Sequence, residues 1–286
     1  QEDVRRAAAL TPDDPVALVA PGFSTYLRLT VPGADGSTAD EKGAAAAAEG
    51  IAASLEGWLA RHPARPSDPS ARRNRSRALE MLGVVAIIRD DKESAAARFR
   101  AAVAADSERQ APFVALVGTL AKLERRSEAA TLLSRRLERQ DRPLFRAMLA
   151  NTLVRLGRNP EAEEVYARKP APGARVRAAS DVEPEERRAA DLGLIAVLLR
   201  RAAQTGEKST AAPRLARAGV ILDRIGAETG LDKDEKALLA GLRGARLALL
   251  GDRVGALTAL ASAPEDTSYD DDLKALRAAL GVREGG

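Results

Sequence analysis

Along most of this chain apolar residues return every three or four positions, and polar turns interrupt the runs. One run places Ala44, Ala48, Ile51, Leu55 and Trp58 on a single helix face and stops before Pro63. Ahead of it, Thr38-x2-Glu41 has the spacing of a capping box and predicts the helix start. One stretch breaks the helical pattern. Residues 16–31 read VALVAPGFSTYLRLTV, and TYLRLTV alternates, with Leu27, Leu29 and Val31 on one side. That alternation predicts a short strand, too apolar to float free and so ordered on the chain itself or on a neighbouring subunit.

Further along, the pattern repeats. Leu79-x2-Leu82-Gly83-x2-Ala86 is followed by Ala95-x3-Phe99, then Phe113-x2-Leu116-Val117-x2-Leu120 by Ala129-x3-Leu133. Leu149-Ala150-x2-Leu153 precedes Ala162-x3-Tyr166, and Gly244-x2-Leu247 precedes Ala256-x3-Leu260. Twelve residues separate Gly83 from Ala95, Val117 from Ala129, Ala150 from Ala162 and Gly244 from Ala256. The joints between the paired runs are polar: RDDKES, LERRSE, LGRNPE and LGDRVG. Such spacing predicts antiparallel helix hairpins, because small residues let two helices approach and the bulky residue one turn later fills the gap.

Ala189-x2-Leu192-Gly193-x2-Ala196 also fits the first-helix pattern. Its partner helix is expected after QTGEKSTAAP, carrying Leu215, Gly219, Leu222 and Ile225, as a degenerate hairpin with a longer connection. Ser268-x2-Asp271 opens a final helix with Tyr269, Leu273, Leu276 and Leu280 on one face and a charged outer side.

The Leu-Gly slot followed by Ala-x3-Phe resembles the tetratricopeptide repeat over roughly residues 76–264. The resemblance implies an all-α fold, a right-handed superhelical solenoid of about five antiparallel hairpins with capping helices at both ends. The expected divisions are an N-terminal extension (1–37), a capping helix (38–62) and a Pro/Arg-rich linker (63–75). After them come three hairpins (76–168), a basic Pro-rich connection (169–184), two degenerate hairpins (185–264) and a terminal helix with its tail (265–286).

In that family the first helices of successive hairpins line a concave groove. The positions that the resemblance carries there are Val84, Ile87 and Ile88 in the first unit and Val114, Gly118, Ala121 and Lys122 in the second. Asn151, Val154 and Arg155 follow in the third, and Leu194, Val197 and Leu198 in the fourth. Relatives that clamp acidic C-terminal peptides use a lysine- and asparagine-rich groove. Here only Lys122, Asn151 and Arg155 fit that scheme, while Val84, Ile87 and Ile88 oppose it. An apolar groove calls for a cover, either another protein's segment or the chain's own N-terminus.

Composition agrees with helices: aromatics are 3% of residues, hydrophobics 45% and charged residues 30%. A sandwich of sheets would need more β-branched and aromatic side chains. The formal charge of +4, from 45 basic and 41 acidic residues, is too small to point to nucleic acid on its own. Sparse aromatics and the lack of a repeated polar pair argue against single-stranded RNA as well. No run approaches the length of a membrane helix, although contact with a membrane surface stays open. A start at Gln1-Glu2-Asp3 fits removal of a signal peptide and export to the periplasm, with the cytoplasm as the alternative.

Candidate chemistry is thin. With no cysteine, thiolate catalysis and thiolate metal sites are excluded, and the single histidine, His62, sits at a helix end. No phosphate-binding loop, nucleophile elbow or His-Glu-x-x-His pair occurs, and Asp90-Asp91 falls in a turn. No cofactor or metal is expected. Two basic segments suit an anionic partner: Arg72, Arg73 and Arg75 beside HPARPSDPSARRN, and Arg175 and Arg177 in ARKPAPGARVR. The functional expectation is a non-catalytic protein-interaction scaffold, a subunit or assembly factor of a bacterial multiprotein complex. The alternative is an accessory module for an enzyme whose active site lies on another chain, and a nucleic-acid-binding helical repeat ranks below both.

Overall fold

The computed structural model describes residues 14–30, 40–176, 182–205, 207–264, 267, 273–274 and 276–277. Apart from two dipeptide strands, the regular structure among them is all α-helix. The chain divides into two compact units, Gln1–Arg125 and Arg126–Gly286.

The first unit holds α1 (Pro15–Thr30), α2 (Glu41–Arg61), α3 (Pro69–Ile88), α4 (Lys92–Ala105) and α5 (Ala111–Lys122). Here α1 pairs with α2 and α3 with α4, while α5 packs on α4. The expected strand is therefore a helix. Val19, Phe23 and Tyr26 fall on one face of α1 and seat against Ile51, Leu55 and Trp58 of α2 and Val85 of α3. A side chain at Gly22 would come within 2.7 Å of Ile51, so the two helices touch closely there. This packing outweighs the local β-preference of TYLRLTV. Val31 lies outside the described residues, as does Thr38 of the proposed capping box. The cap of α2 is instead Asp40, whose carboxylate accepts from the Gly43 N–H at 2.9 Å. The linker is also shorter than its composition suggested, because Asp68 caps α3 with Pro69 in the first helical position.

The second unit holds α6 (Arg126–Arg139), β1 (Gln140–Asp141), α7 (Pro143–Arg155), α8 (Asn159–Ala167), β2 (Arg175–Val176), α9 (Pro184–Thr205), α10 (Lys208–Gly226), α11 (Lys233–Leu249) and α12 (Arg253–Ala261). Hairpins form from α7 with α8, α9 with α10 and α11 with α12, and α6 packs on α7. The strands pair in parallel, Gln140 with Arg175 and Asp141 with Val176. Only residues 206–207 separate α9 from α10, so the long connection expected around QTGEKSTAAP does not exist. Pro213 lies inside α10, and the helix survives because Leu215, Ala218, Leu222 and Ile225 are buried in the unit's core. Ser268, Tyr269, Asp271 and Leu280 lie outside the described residues. Leu273 packs on Ala237 and Leu260, with Leu276 beside it.

The twelve-residue spacing has a physical cause. Ala95, Ala129, Ala162 and Ala256 have no exposed surface. A Cβ on Gly83 would lie 2.5 Å from the Phe99 ring, and one on Gly244 would lie 2.8 Å from Leu260. Four joints share one backbone solution as well. The N–H groups of Asp91, Arg125, Arg158 and Asp252 bond to the carbonyls of Ala86, Leu120, Leu153 and Leu247, each five residues back. The residue before each donor is left-handed: Asp90, Glu124, Gly157 and Gly251. This is the helix ending in which a left-handed residue lets the last carbonyls find donors.

Candidate functional site

In the first unit the first helices of its two hairpins, α1 and α3, border an open groove of about 610 Å³. Val16 and Phe23 come from α1, and Met81 and Val84 from α3. Val16 and Val84 are each 39% exposed, so both walls of the groove present apolar surface. Helix α1 carries one charged residue, Arg28, and is apolar on more than one face. Only part of that apolar surface is buried, since Leu18 and Leu27 are exposed alongside Val16.

Charged groups on the groove's rim hold one another. The Arg109 guanidinium donates to Glu80 at 2.5 Å and to the Ser76 hydroxyl at 3.0 Å. Arg77 stands 3.7 Å from Asp14. These pairs fix the rim in place and leave its charge balanced, so the groove offers apolar contact first and ionic contact second.

The predicted groove positions do not form one surface. Val84 lines the groove, Ile87 is half-buried, and Ile88 packs on the core beneath α1 and α2. On α5, Val114 and Ala121 are half-buried, and Gly118 and Lys122 are exposed. In the second unit Val154 of α7 is half-buried, while the exposed Asn151 accepts a 3.2 Å hydrogen bond from Arg155 one turn on. Leu194, Val197 and Leu198 are corrections, because all three are buried, Val197 at 3% and Leu198 at 1% exposure. Helix α9 is enclosed by α7, α8, α10 and α11, so the face expected to be open is core. Arg72 and Arg73 are exposed on α3, Arg75 is half-buried, and Arg175 is exposed on β2. Arg177 lies outside the described residues.

Val16, Phe23, Glu80 and Arg109 were not anticipated. Val16 and Phe23 lie ahead of the alternating TYLRLTV in a stretch with no hairpin pattern, and the Glu80–Arg109 pair spans too much sequence for any periodicity to reveal. His62 has a structural setting. Its Nδ1 lies 2.8 Å from the Trp58 carbonyl oxygen, and its ring stacks on Trp58 with centroids 4.2 Å apart.

The second unit has a cavity of about 420 Å³ among α7, α8, α9 and β2, lined in part by Arg146, Tyr166, Asp191 and Leu194. Arg146 donates to Asp141 at 2.7 and 2.5 Å and also to the Val165 carbonyl. The Tyr166 hydroxyl is buried without a hydrogen-bond partner among the described residues. It stands where a Cβ on Gly193 would be 2.7 Å away. Burial above all, and then the Asp191 carboxylate, raise its pKa, with Arg146 opposing, so it stays a neutral phenol. Asp191 is raised by burial and partly restored by Arg224, whose Nη2 is 2.6 Å from its Oδ2. A neutral, shut-in phenol and carboxylates already held by arginine brace the fold and offer no free nucleophile or base.

Among the described residues no group of three or more His, Cys, Asp or Glu is placed to hold a metal ion. No described helix is long and apolar enough to cross a membrane.

No protein-family model matches the sequence, and no curated protein matches it. Among solved structures, the chain is similar to the crystal structure of a tetratricopeptide repeat protein from Parabacteroides merdae. The two share 12% identity over 92% of this chain and 98% of that one, with a TM-score of 0.39.

Proposed function

We propose that this chain is a tetratricopeptide-like, non-catalytic scaffold that binds a protein segment as a subunit or assembly factor of a bacterial multiprotein complex. One observation carries the reading: the open groove between α1 and α3, with exposed Val16 and Val84 on opposite walls and paired charges on the rim. Its occupant is a segment of another protein that offers apolar side chains, because the rim charges already satisfy one another. The repeated slot supports the tetratricopeptide reading, since Gly83 with Phe99 and Gly244 with Leu260 interlock as that pattern requires.

The experiment is native purification with identification of co-eluting chains, followed by reciprocal capture using the parent chain and a Val16→Glu/Val84→Glu variant. Loss of one stoichiometric partner with an unchanged circular dichroism spectrum is the expected result. A partner retained in full by the variant, or catalytic turnover by the purified chain alone, refutes the reading.

A further inference from the structure

We propose that the turn between α2 and α3 is a docking surface for an acidic segment of a protein partner, a run of aspartate or glutamate side chains. This surface is separate from the α1–α3 groove, and the proposal does not depend on what fills that groove.

The structure ties arginines of α3 back to this turn. Arg75 Nη1 donates to the His62 carbonyl at 3.2 Å, next in the chain to Arg61. Arg72 Nη1 donates to the Pro66 carbonyl at 3.2 Å, next in the chain to Arg65. Arg73 follows Arg72 on α3. Each tie uses one nitrogen, so the rest of the planar fork on Arg72 and Arg75 remains available to a carboxylate. None of these five arginines forms an ion pair among the described residues, and Arg61, Arg65, Arg72 and Arg73 are exposed. The nearest acid in sequence, Asp68, is engaged as the α3 cap, accepting from Ser70 and Ala71 N–H groups at 2.8 and 3.1 Å. Like charges crowded into one turn repel one another, and a polyanionic segment relieves that repulsion.

Two features favour an acidic peptide over other polyanions. Trp58 is 3% exposed and cannot stack on bases. No large hydrophobic side chain is exposed between residues 61 and 75 to enter a membrane.

The test is fluorescence anisotropy at low salt with the full chain and a short labelled oligoglutamate peptide. An oligoglutamine peptide, a random DNA duplex and phosphatidylserine vesicles serve as comparison probes. Binding to oligoglutamate that weakens with added salt is expected, together with a loss of about tenfold or more in the Arg61→Ala/Arg65→Ala/Arg73→Ala variant. Those three side chains tie down no backbone, so the variant keeps the melting temperature of the parent. Arg200→Ala/Arg217→Ala/Arg253→Ala removes the same charge from exposed positions of the second unit and is expected to bind like the parent. An equal loss in that control overturns the proposal, as does no binding to oligoglutamate. Tighter binding to the duplex or the vesicles overturns it too and assigns the patch to that polyanion.

Discussion

The α2–α3 turn of the first unit and the helix joints of the second use arginine in opposite ways. In the first, the arginines of the α2–α3 turn reach backbone carbonyls and face solvent. In the second, arginines fasten helices. Arg188 bonds Glu235 at 3.0 Å and Glu228 at 3.4 Å, and Arg201 and Arg214 meet at Glu163. Arg142 and Arg146 each hold a carboxylate, Glu186 and Asp141, within 2.6 Å. The same side chain is a brace where carboxylates face it across a helix joint, and stays open to solvent where none does. The joints differ in parallel. Their backbone geometry is common, yet the left-handed residue is Asp90 or Glu124 in the first unit and Gly157 or Gly251 in the second.

Removing a brace should have the largest effect. Asp141→Ala leaves a guanidinium unpaired in a largely buried setting and is expected to cost about 3–5 kcal/mol in urea unfolding. The double change Asp141→Ala/Arg146→Met should recover much of that loss. If the single and double variants are equally unstable, arginine is not acting as a brace there. Next comes the helix contact of the first unit. Gly83→Ala forces a methyl into the Phe99 ring and should destabilise by about 1–3 kcal/mol, whereas Gly118→Ala, with open space around the added carbon on an exposed helix face, should stabilise by up to about 1 kcal/mol.

The joints give a smaller and two-signed effect. Glu124→Gly relieves a left-handed strain and should stabilise by about 1 kcal/mol, while Gly157→Ala should destabilise by a similar amount. Two shifts of the same sign in thermal melts would show that the four joints are not equivalent. Asp191 gives the gentlest probe. Burial raises its pKa even with Arg224 alongside, so it favours the fold below the ordinary carboxylate range and loses that contribution as pH rises through its folded value. Asp191→Asn should therefore gain stability relative to the parent from acid towards neutral pH, and a flat difference across that range would contradict it.

Legibility from sequence followed the range of the interaction. Gly83, Ala95 and Phe99 meet within one hairpin, so their spacing was readable, as were the joints. The α1 helix was missed because TYLRLTV has β-like alternation, whereas its partners Ile51, Leu55 and Trp58 lie far along the chain. The family resemblance put Val84 among the groove positions, and Val84 borders the α1–α3 groove. Leu194, Val197 and Leu198 hold equivalent positions, yet α7 and α11 also cover α9, and nothing local to α9 encodes those neighbours. The arginine turn was visible as composition, but its ties to His62 and Pro66 needed coordinates.

The dipeptide pairing of β1 with β2 has a consequence for how the α7–α8 hairpin closes. Gln140–Asp141 and Arg175–Val176 join the chain just before α7 to the chain beyond α8, which turns that hairpin into a closed loop. Asp141 then grips Arg146, inside the loop, from its base. The clasp shortens the chain left to order when the hairpin closes, while packing on α6 and α9 holds its two helices along their length.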